Sequence, residues 1–321
     1  MHVVLYARDR LPVRNYGGTQ RIVVYLARGL AAAGHRVTLI AAADSAVPEA
    51  ELVPLAPADL RRADLDLRPR VPGGADILLA FAPLPSEPGL PWIRSLHGNR
   101  RPGAQGAPNT LYLSRNHAER HGATAFVYNG IDLGEFRFQP VKSGYDLFLG
   151  RLHAVKGHRW AIDGAKRTGR RLILAGGWRP SLSRRVRYVG QVGGERKAQL
   201  LAEAECLWMP AQWDEPFGLT LVEALASGTP VLGTRRGALP EIVSPEVGAL
   251  GDTLDELVAS RPGLDRLDPH ACRARVERHF THHVMAEEYV RMFREFVATG
   301  MLPAGRTLGA PTSAPGPGPA P

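Results

Sequence analysis

The sequence predicts an α/β protein made of two parallel-sheet halves with a cleft between them, followed by a C-terminal tail without fixed structure. Three observations predict it. The chain has 321 residues, a length that suits two domains and lets it bury a sizeable core. Short apolar strands alternate with helices, first from residue 1 and again from about residue 145, the order of a doubly wound parallel sheet. Between the two runs, "FQPVKSG" at 138–144 has no periodicity and reads as a linker.

The elements follow in order. "HVVLYA" is a strand, "GGTQRIVVYLARGLAAAGH" an amphipathic helix closed by Gly34, and "RVTLIAAA" the next strand. Residues 47–74, rich in proline and arginine, read as irregular. Strands are expected at "ADILLAFA", "PWIRSLHG", "NTLYLS" and "AFVYNG", with few full-length helices among them, so this half is pared down. The second half opens with "YDLFLGRL", a helix through "HRWAIDGAKRTG" and a strand at "RLILAGG". It continues through "VRYVGQV", the helix "GERKAQLLAEAE" and the strand "CLWMPA". A helix over 284–300 follows, and 301–321 ("PAGRTLGAPTSAPGPGPAP" at its core) lacks the apolar residues to order itself. The expected division is therefore 1–138, 139–283, the helix 284–300 and the tail 301–321. The two halves are Rossmann-like.

Composition narrows the function. Apolar content is 44% and charged content 22%, ordinary for a soluble globular protein. The net charge is +9, yet only four of 40 basic residues are lysine: Lys142, Lys156, Lys166 and Lys197. Paired arginines such as Arg61-Arg62 and Arg235-Arg236 are scattered and not interleaved with aromatics, so no nucleic-acid partner is expected. An anionic small ligand, or at most a peripheral contact with an acidic membrane, suits them. Cys206 and Cys272 form no C-x-x-C, and the apolar start is too short for a signal peptide, so a cytoplasmic setting is expected.

The segment richest in chemistry is "EPFGLTLVEALASGTPVLG" at 215–233. Leu219, Val222, Leu225 and Ala226 recur at helical spacing, and Gly228 with Pro230 ends the helix. Glu215 precedes that helix, where unpaired N–H groups accept anions; it is either a helix-start residue or a ligand contact. Glu223 adjoins Val222 and reads equally as a solvated glutamate at the edge of the buried face. In "GRLHAVKG", Arg151 and Lys156 flank a strand's carboxyl end, where two cations suit a diphosphate or simply decorate a loop. Gly17 and Gly18 open the first helix without a G-x-G-x-x-G pattern. His97 in "SLHGN" ends a strand and is expected to face the cleft. His117 and His121 lack a third ligand, and Asp64-x-Asp66 is flanked by arginines, so no metal site is expected.

Together these residues resemble the retaining GT-B glycosyltransferases of the family 4 type (glycosyltransferase group 1). The resemblance runs from residue 1 to about 298. It is strongest at 145–243, where "FLGRLHAVKG", "LILAGG", "VRYVGQVG" and the Glu-x7-Glu segment keep the family's order. It implies a hexosyltransferase-like enzyme that moves sugar from a nucleoside-diphosphate sugar, UDP-sugar favoured, to a hydroxyl of a small-molecule, lipid-linked or glycan acceptor, with no cofactor and no metal. It assigns Glu215, with the amides of Phe217, Gly218 and Leu219, to the donor sugar and phosphate, and Glu223 to the ribose. Arg151 and Lys156 would meet the diphosphate, Gly17 and Gly18 would approach it from the first domain, Gln191 and Val192 would adjoin the base, and His97 would lie near the reacting carbon. The acceptor half is short, as is the segment between "LILAGG" and "VRYVG". A nucleotide-sugar epimerase, a phosphorylase of the same architecture and a non-catalytic nucleotide-sugar-binding protein are the alternatives.

Overall fold

The computed structural model describes residues 1–13, 17–100, 107–181 and 183–308. Asn15 and Tyr16 of the Gly-Gly turn, and 309–321 of the expected tail, lie outside the described residues.

The first sheet contains β1 (His2–Tyr6), β2 (Arg36–Ala42), β3 (Glu51–Leu55), β4 (Ile77–Ala80), β5 (Trp92–Ser95) and β6 (Thr110–Leu111), all parallel, in the order β3-β2-β1-β4-β5-β6. The second contains β7 (Asp146–Leu149), β8 (Leu172–Ala175), β9 (Val186–Tyr188), β10 (Cys206–Met209), β11 (Val231–Thr234) and β12 (Gly248–Gly251). Its order is β12-β11-β10-β7-β8-β9. Both orders reverse direction beside the first strand of the sheet, between β1 and β4 and between β7 and β10. At such a switch point the neighbouring connections leave to opposite sides and open a crevice at the carboxyl ends, where ligands of open α/β sheets bind.

Helix α1 (Gly18–Ala32) buries Ile22 to Ala27 and Leu30, and α2 (Arg115–Glu119) is a single short piece. In the second half α3 (His158–Thr168), α4 (Gly194–Glu203), α5 (Leu219–Ala226), α6 (Leu239–Ile242), α7 (Leu254–Ser260) and α8 (Pro269–His279) surround the sheet. The last helix, α9 (His282–Thr299), returns to the first half and packs along α1, where a Cβ on Gly29 would lie 2.4 Å from the His282 carbonyl oxygen.

Three expectations are corrected. Residues 51–55 form a strand inside the stretch expected to be irregular; Pro54 is tolerated because β3 is an edge strand and needs no amide on its outer side. "AFVYNG" is not a strand: it makes one bridge, Tyr112 to Phe126, before the chain turns to pair Ile131 with Thr281. The expected tail is anchored at its start, since the Gly305 amide donates to the Thr124 carbonyl at 2.9 Å and Arg306 pairs with Glu288 at 2.9 Å. The linker is also pinned. Lys142 Nζ donates to the carbonyls of Ala202 at 2.8 Å and Ser227 at 3.2 Å, at the ends of α4 and α5, and burial lowers its pKa to about 8.

Deleting 309–321 is expected to leave the melting temperature unchanged, because that sequence has nothing to bury. Deleting 284–321 removes Met285, Tyr289, Met292 and Phe293, all buried, and is expected to abolish cooperative unfolding. Equal melting temperatures for the two truncations would refute the distinction.

Candidate active site at the carboxyl edges of the two sheets

The second sheet's switch point gathers the charged residues. Arg151 is exposed just past the end of β7, and Lys156 ends the turn that follows. That turn closes on Gly157, at φ 74°, where a Cβ would lie 1.7 Å from the Pro210 carbonyl oxygen. Only glycine allows the loops after β7 and β10 to touch there. The touch brings Lys156 to Glu215. Lys156 Nζ donates to Glu215 Oε2 at 2.6 Å, and Trp213 Nε1 donates to the same oxygen at 2.9 Å. The ammonium also lies 4.8 Å from the centre of the Trp213 ring. Glu215 Oε1 has no partner among the described residues.

The turn carrying Glu215 is held from several sides. Its carbonyl accepts the Ala238 amide at 2.9 Å, and Phe217 is buried. Gly218, at φ 87°, starts α5 without a side-chain cap, so the amides that open the helix have no capping partner from a Gly218 side chain. The first domain grips the same turn: Asn99 Nδ2 donates to the Asp214 carbonyl at 2.7 Å, and Ser114 Oγ donates to the Pro216 carbonyl at 2.8 Å. Arg120 pairs with the Asp214 carboxylate. The loop bearing His97 and the turn bearing Glu215 thus meet across the cleft.

Glu223 is no solvated edge residue. It is 3% exposed, and its Oε1 accepts from Lys197 Nζ on α4 at 2.6 Å, with the ammonium 5.2 Å from the Phe136 ring centre. Burial of a carboxylate is expensive unless it is paired, so Lys197 is what makes this position possible. Glu223 Oε2 has no partner among the described residues. Gln191 and Val192 lie between β9 and α4, the first exposed and the second half-buried.

On the first-domain side, Gly17 and Gly18 begin α1 next to a hollow lined by Ala7, Arg8, Asp9, Gln20 and Phe81. His97 follows β5; its Nε2 is 3.0 Å from Ser95 Oγ, which is 3.1 Å from Tyr289 Oη on α9. Burial, with His117 adding its charge, lowers the His97 pKa to about 3. The imidazole is therefore neutral at pH 7 and acts as a hydrogen-bonding group rather than a cation. His117 and His121 support the same loop: His117 Nε2 lies 3.3 Å from the Gly98 carbonyl, and the Arg100 amide donates to His121 Nε2 at 3.2 Å. Asp64 and Asp66 are taken up by Arg62 and Arg68, and among the described residues no three His, Cys, Asp or Glu groups gather.

Trp213, Lys197 and Asn99 were not singled out from the sequence. Trp213, two residues before Glu215, was the detectable one, since a tryptophan beside a candidate anion site supplies both a donor and an aromatic face.

A profile described as "Glycosyl transferases group 1" matches residues 145–260, the second sheet and its helices. The crystal structure of AviGT4, a glycosyltransferase involved in avilamycin A biosynthesis, is similar along nearly the whole chain. It superposes with a TM-score of 0.79 at 30% identity, covering 94% of this chain and 99% of that one. The MMP alpha-(1->4)-mannosyltransferase of Mycolicibacterium hassiacum is 36% identical over 115 residues, 32% of this chain and 28% of that protein. The phosphatidyl-myo-inositol mannosyltransferase of Mycobacterium leprae is 28% identical over 207 residues, 54% of each. The chain thus spans between about a quarter and about half of these curated relatives' length. Among the described residues no helix is long and apolar enough to cross a membrane.

Proposed function

The chain belongs to the group 1 glycosyltransferases of GT-B fold, and from that premise we propose that it transfers a sugar from a nucleoside-diphosphate sugar to a hydroxyl acceptor with retention of configuration and without a metal. The observation that carries the reading is the Lys156–Glu215–Trp213 cluster at the second sheet's switch point, facing the His97–Asn99 loop. A cation and a carboxylate held 2.6 Å apart match the two charges that develop in the reaction, the negative diphosphate and the positive sugar carbon.

The steps follow. Arg151, Lys156 and the amides opening α5 receive the diphosphate, and Gly17 and Gly18 approach it from the first domain. Glu215, through Oε1, takes a hydroxyl of the donor sugar, and Glu223 takes the ribose hydroxyls through Oε2. Gln191 and Val192 adjoin the base; UDP-sugars are the favoured donors. The bond from the sugar carbon to the diphosphate oxygen breaks with both electrons leaving on the oxygen. The acceptor oxygen bonds to the same face of the carbon, and its proton passes to the released diphosphate. Neutral His97, held by Ser95 and Tyr289, hydrogen-bonds near that carbon without repelling its positive charge.

The test is a screen of UDP-, GDP-, ADP- and TDP-sugars by thermal shift and donor hydrolysis, because a bound donor raises the melting temperature by mass action. No shift and no hydrolysis with any donor would overturn the reading. Transfer is further expected to survive excess chelator. A loss beyond about tenfold that magnesium or manganese restores would show that Arg151 and Lys156 are insufficient for the leaving diphosphate.

A further inference from the structure

Helix α2 takes no part in that scheme, yet both of its ends are tied to the opposite domain. It has only five residues, too few to stay wound alone. A helix opens with backbone amides that have no partner inside it. In α2 three of them are met by side chains, two from across the cleft. The Arg115 amide donates to Glu241 Oε2 at 3.0 Å, and the Asn116 amide donates to Glu241 Oε1 at 2.8 Å. The His117 amide donates to Ser114 Oγ at 3.1 Å, and the Ser114 hydroxyl in turn donates to the Pro216 carbonyl. Tyr128 Oη, also of the first domain, donates to Glu241 Oε2 at 2.6 Å, so both oxygens of that carboxylate are committed across the boundary. At the other end of α2, Arg120 pairs with Asp214, whose Oδ1 also accepts the Gly237 amide at 3.3 Å.

These bonds form a path between the two sides of the cleft. Glu241 lies on α6, three residues after Ala238, and the Ala238 amide donates to the Glu215 carbonyl. From α2, His117 Nε2 lies 3.3 Å from the carbonyl of Gly98, the neighbour of His97. The Glu215 turn and the His97 loop are thus both fastened to one short helix. A carboxylate that accepts two backbone amides makes strong hydrogen bonds, and its loss leaves both donors unpaired. Parting the domains would strip α2 of Glu241 and of the partner of Arg120 at once.

We propose that α2 is a clasp: Glu241 and Asp214 hold its two ends and keep the cleft closed, and Glu241 is a positioning residue that sets the Glu215 turn against the His97 loop. The Glu241 side chain touches no part of the donor in the functional reading, so it acts through α2 and the turn. Its effect on turnover rests on that reading, whereas its hold on the cleft does not. A displacement of about 1 Å between reacting groups is enough to cost about a hundredfold in rate.

The test uses the full-length protein without ligand, carrying nitroxide labels on Ala32→Cys in α1 and Asp163→Cys in α3, both exposed positions. Cys206 and Cys272 are buried and stay unlabelled. Pulsed dipolar spectroscopy is expected to give one narrow distance distribution. Glu241→Ala, and Arg120→Gln at the more exposed end, are each expected to shift the balance toward a second distance by about tenfold or more. Should Glu241→Ala fail to fold, Arg120→Gln decides alone, because its side chain is 41% exposed and its loss leaves the core intact. Calorimetry with UDP and hydrolysis of UDP-glucose then separate positioning from a purely structural role. Turnover is expected to fall about tenfold to a hundredfold while UDP affinity changes by less than about twofold. A distance distribution unchanged in the folded variants would overturn the clasp. Turnover equal to wild type, or UDP affinity that falls in step with turnover, would overturn the positioning role. If wild type binds neither UDP nor UDP-glucose, the UDP-sugar reading fails instead, and the distance measurement decides the clasp by itself.

Discussion

Replacing Glu215 with glutamine is expected to lower turnover by about a hundredfold or more while free nucleoside diphosphate binds almost as before. The substitution keeps the shape and the hydrogen bond from Trp213 but removes the negative charge. Lys156 then loses the ion partner that holds it at 2.6 Å, and the charge proposed to face the electron-poor sugar carbon disappears. A carboxylate acting there matters more in the transition state than in the bound donor, so kcat falls further than affinity. Calorimetry with nucleotide and with donor, run beside transfer kinetics, separates the two. If Glu215→Gln weakens free nucleotide as much as Glu223→Gln does, the sugar-side assignment is wrong.

Glu223→Gln is expected to weaken nucleotide and complete donor alike, by about tenfold to a hundredfold, through loss of a charge-assisted hydrogen bond to the ribose. The structure adds a complication that also supplies a control. Glu223 and Lys197 form a nearly buried pair, their side chains 3% and 10% exposed. Removing the carboxylate altogether, as in Glu223→Leu, leaves the Lys197 ammonium without its partner and is expected to cost about 3–5 kcal/mol of stability. Adding Lys197→Met to Glu223→Leu removes that stranded charge and is expected to restore most of the stability but none of the nucleotide affinity. Recovery of both would make the pair a packing feature with no ligand role. Recovery of neither would show that Lys197 itself touches the nucleotide.

Much of this was legible in the sequence, for reasons that differ by residue. The strands of both sheets are short apolar runs bounded by glycine or charge, and glycines open α1 and close α3, so both alternations could be read. Glu215 and Glu223 stood out because seven residues separate them, spanning a Phe-Gly turn and a helical stripe. What periodicity cannot report is pairing across the fold. Lys197 and Lys142 were visible only as rare lysines; their partners lie 26 residues away on α5 and 60 to 85 residues away at helix ends. The buried Asp146–Arg261 pair, both side chains 0% exposed and joined at 2.6 Å, spans 115 residues and looked like two ordinary charges. Strand β3 was missed because Pro54 argues against a strand until one knows that it lies at the sheet's edge.

Helix α9 and the stretch to residue 308 rest on the first domain, and Tyr289 reaches Ser95 beside His97. The half that carries the second sheet is therefore an insertion, bracketed on both sides by chain that packs on the first. A recombinant hybrid that exchanges donor halves between relatives has to splice at two places, near the linker and just before His282. A single crossover at the linker would carry the foreign helix along with the donor half and seat it against an α1 it was never shaped to meet. Such a hybrid would lose the Tyr289–Ser95 support of His97 even with every donor contact intact. Changes of donor specificity by whole-domain exchange would then be heritable only as cassettes with two junctions, whereas point substitutions within 145–260 face no such constraint.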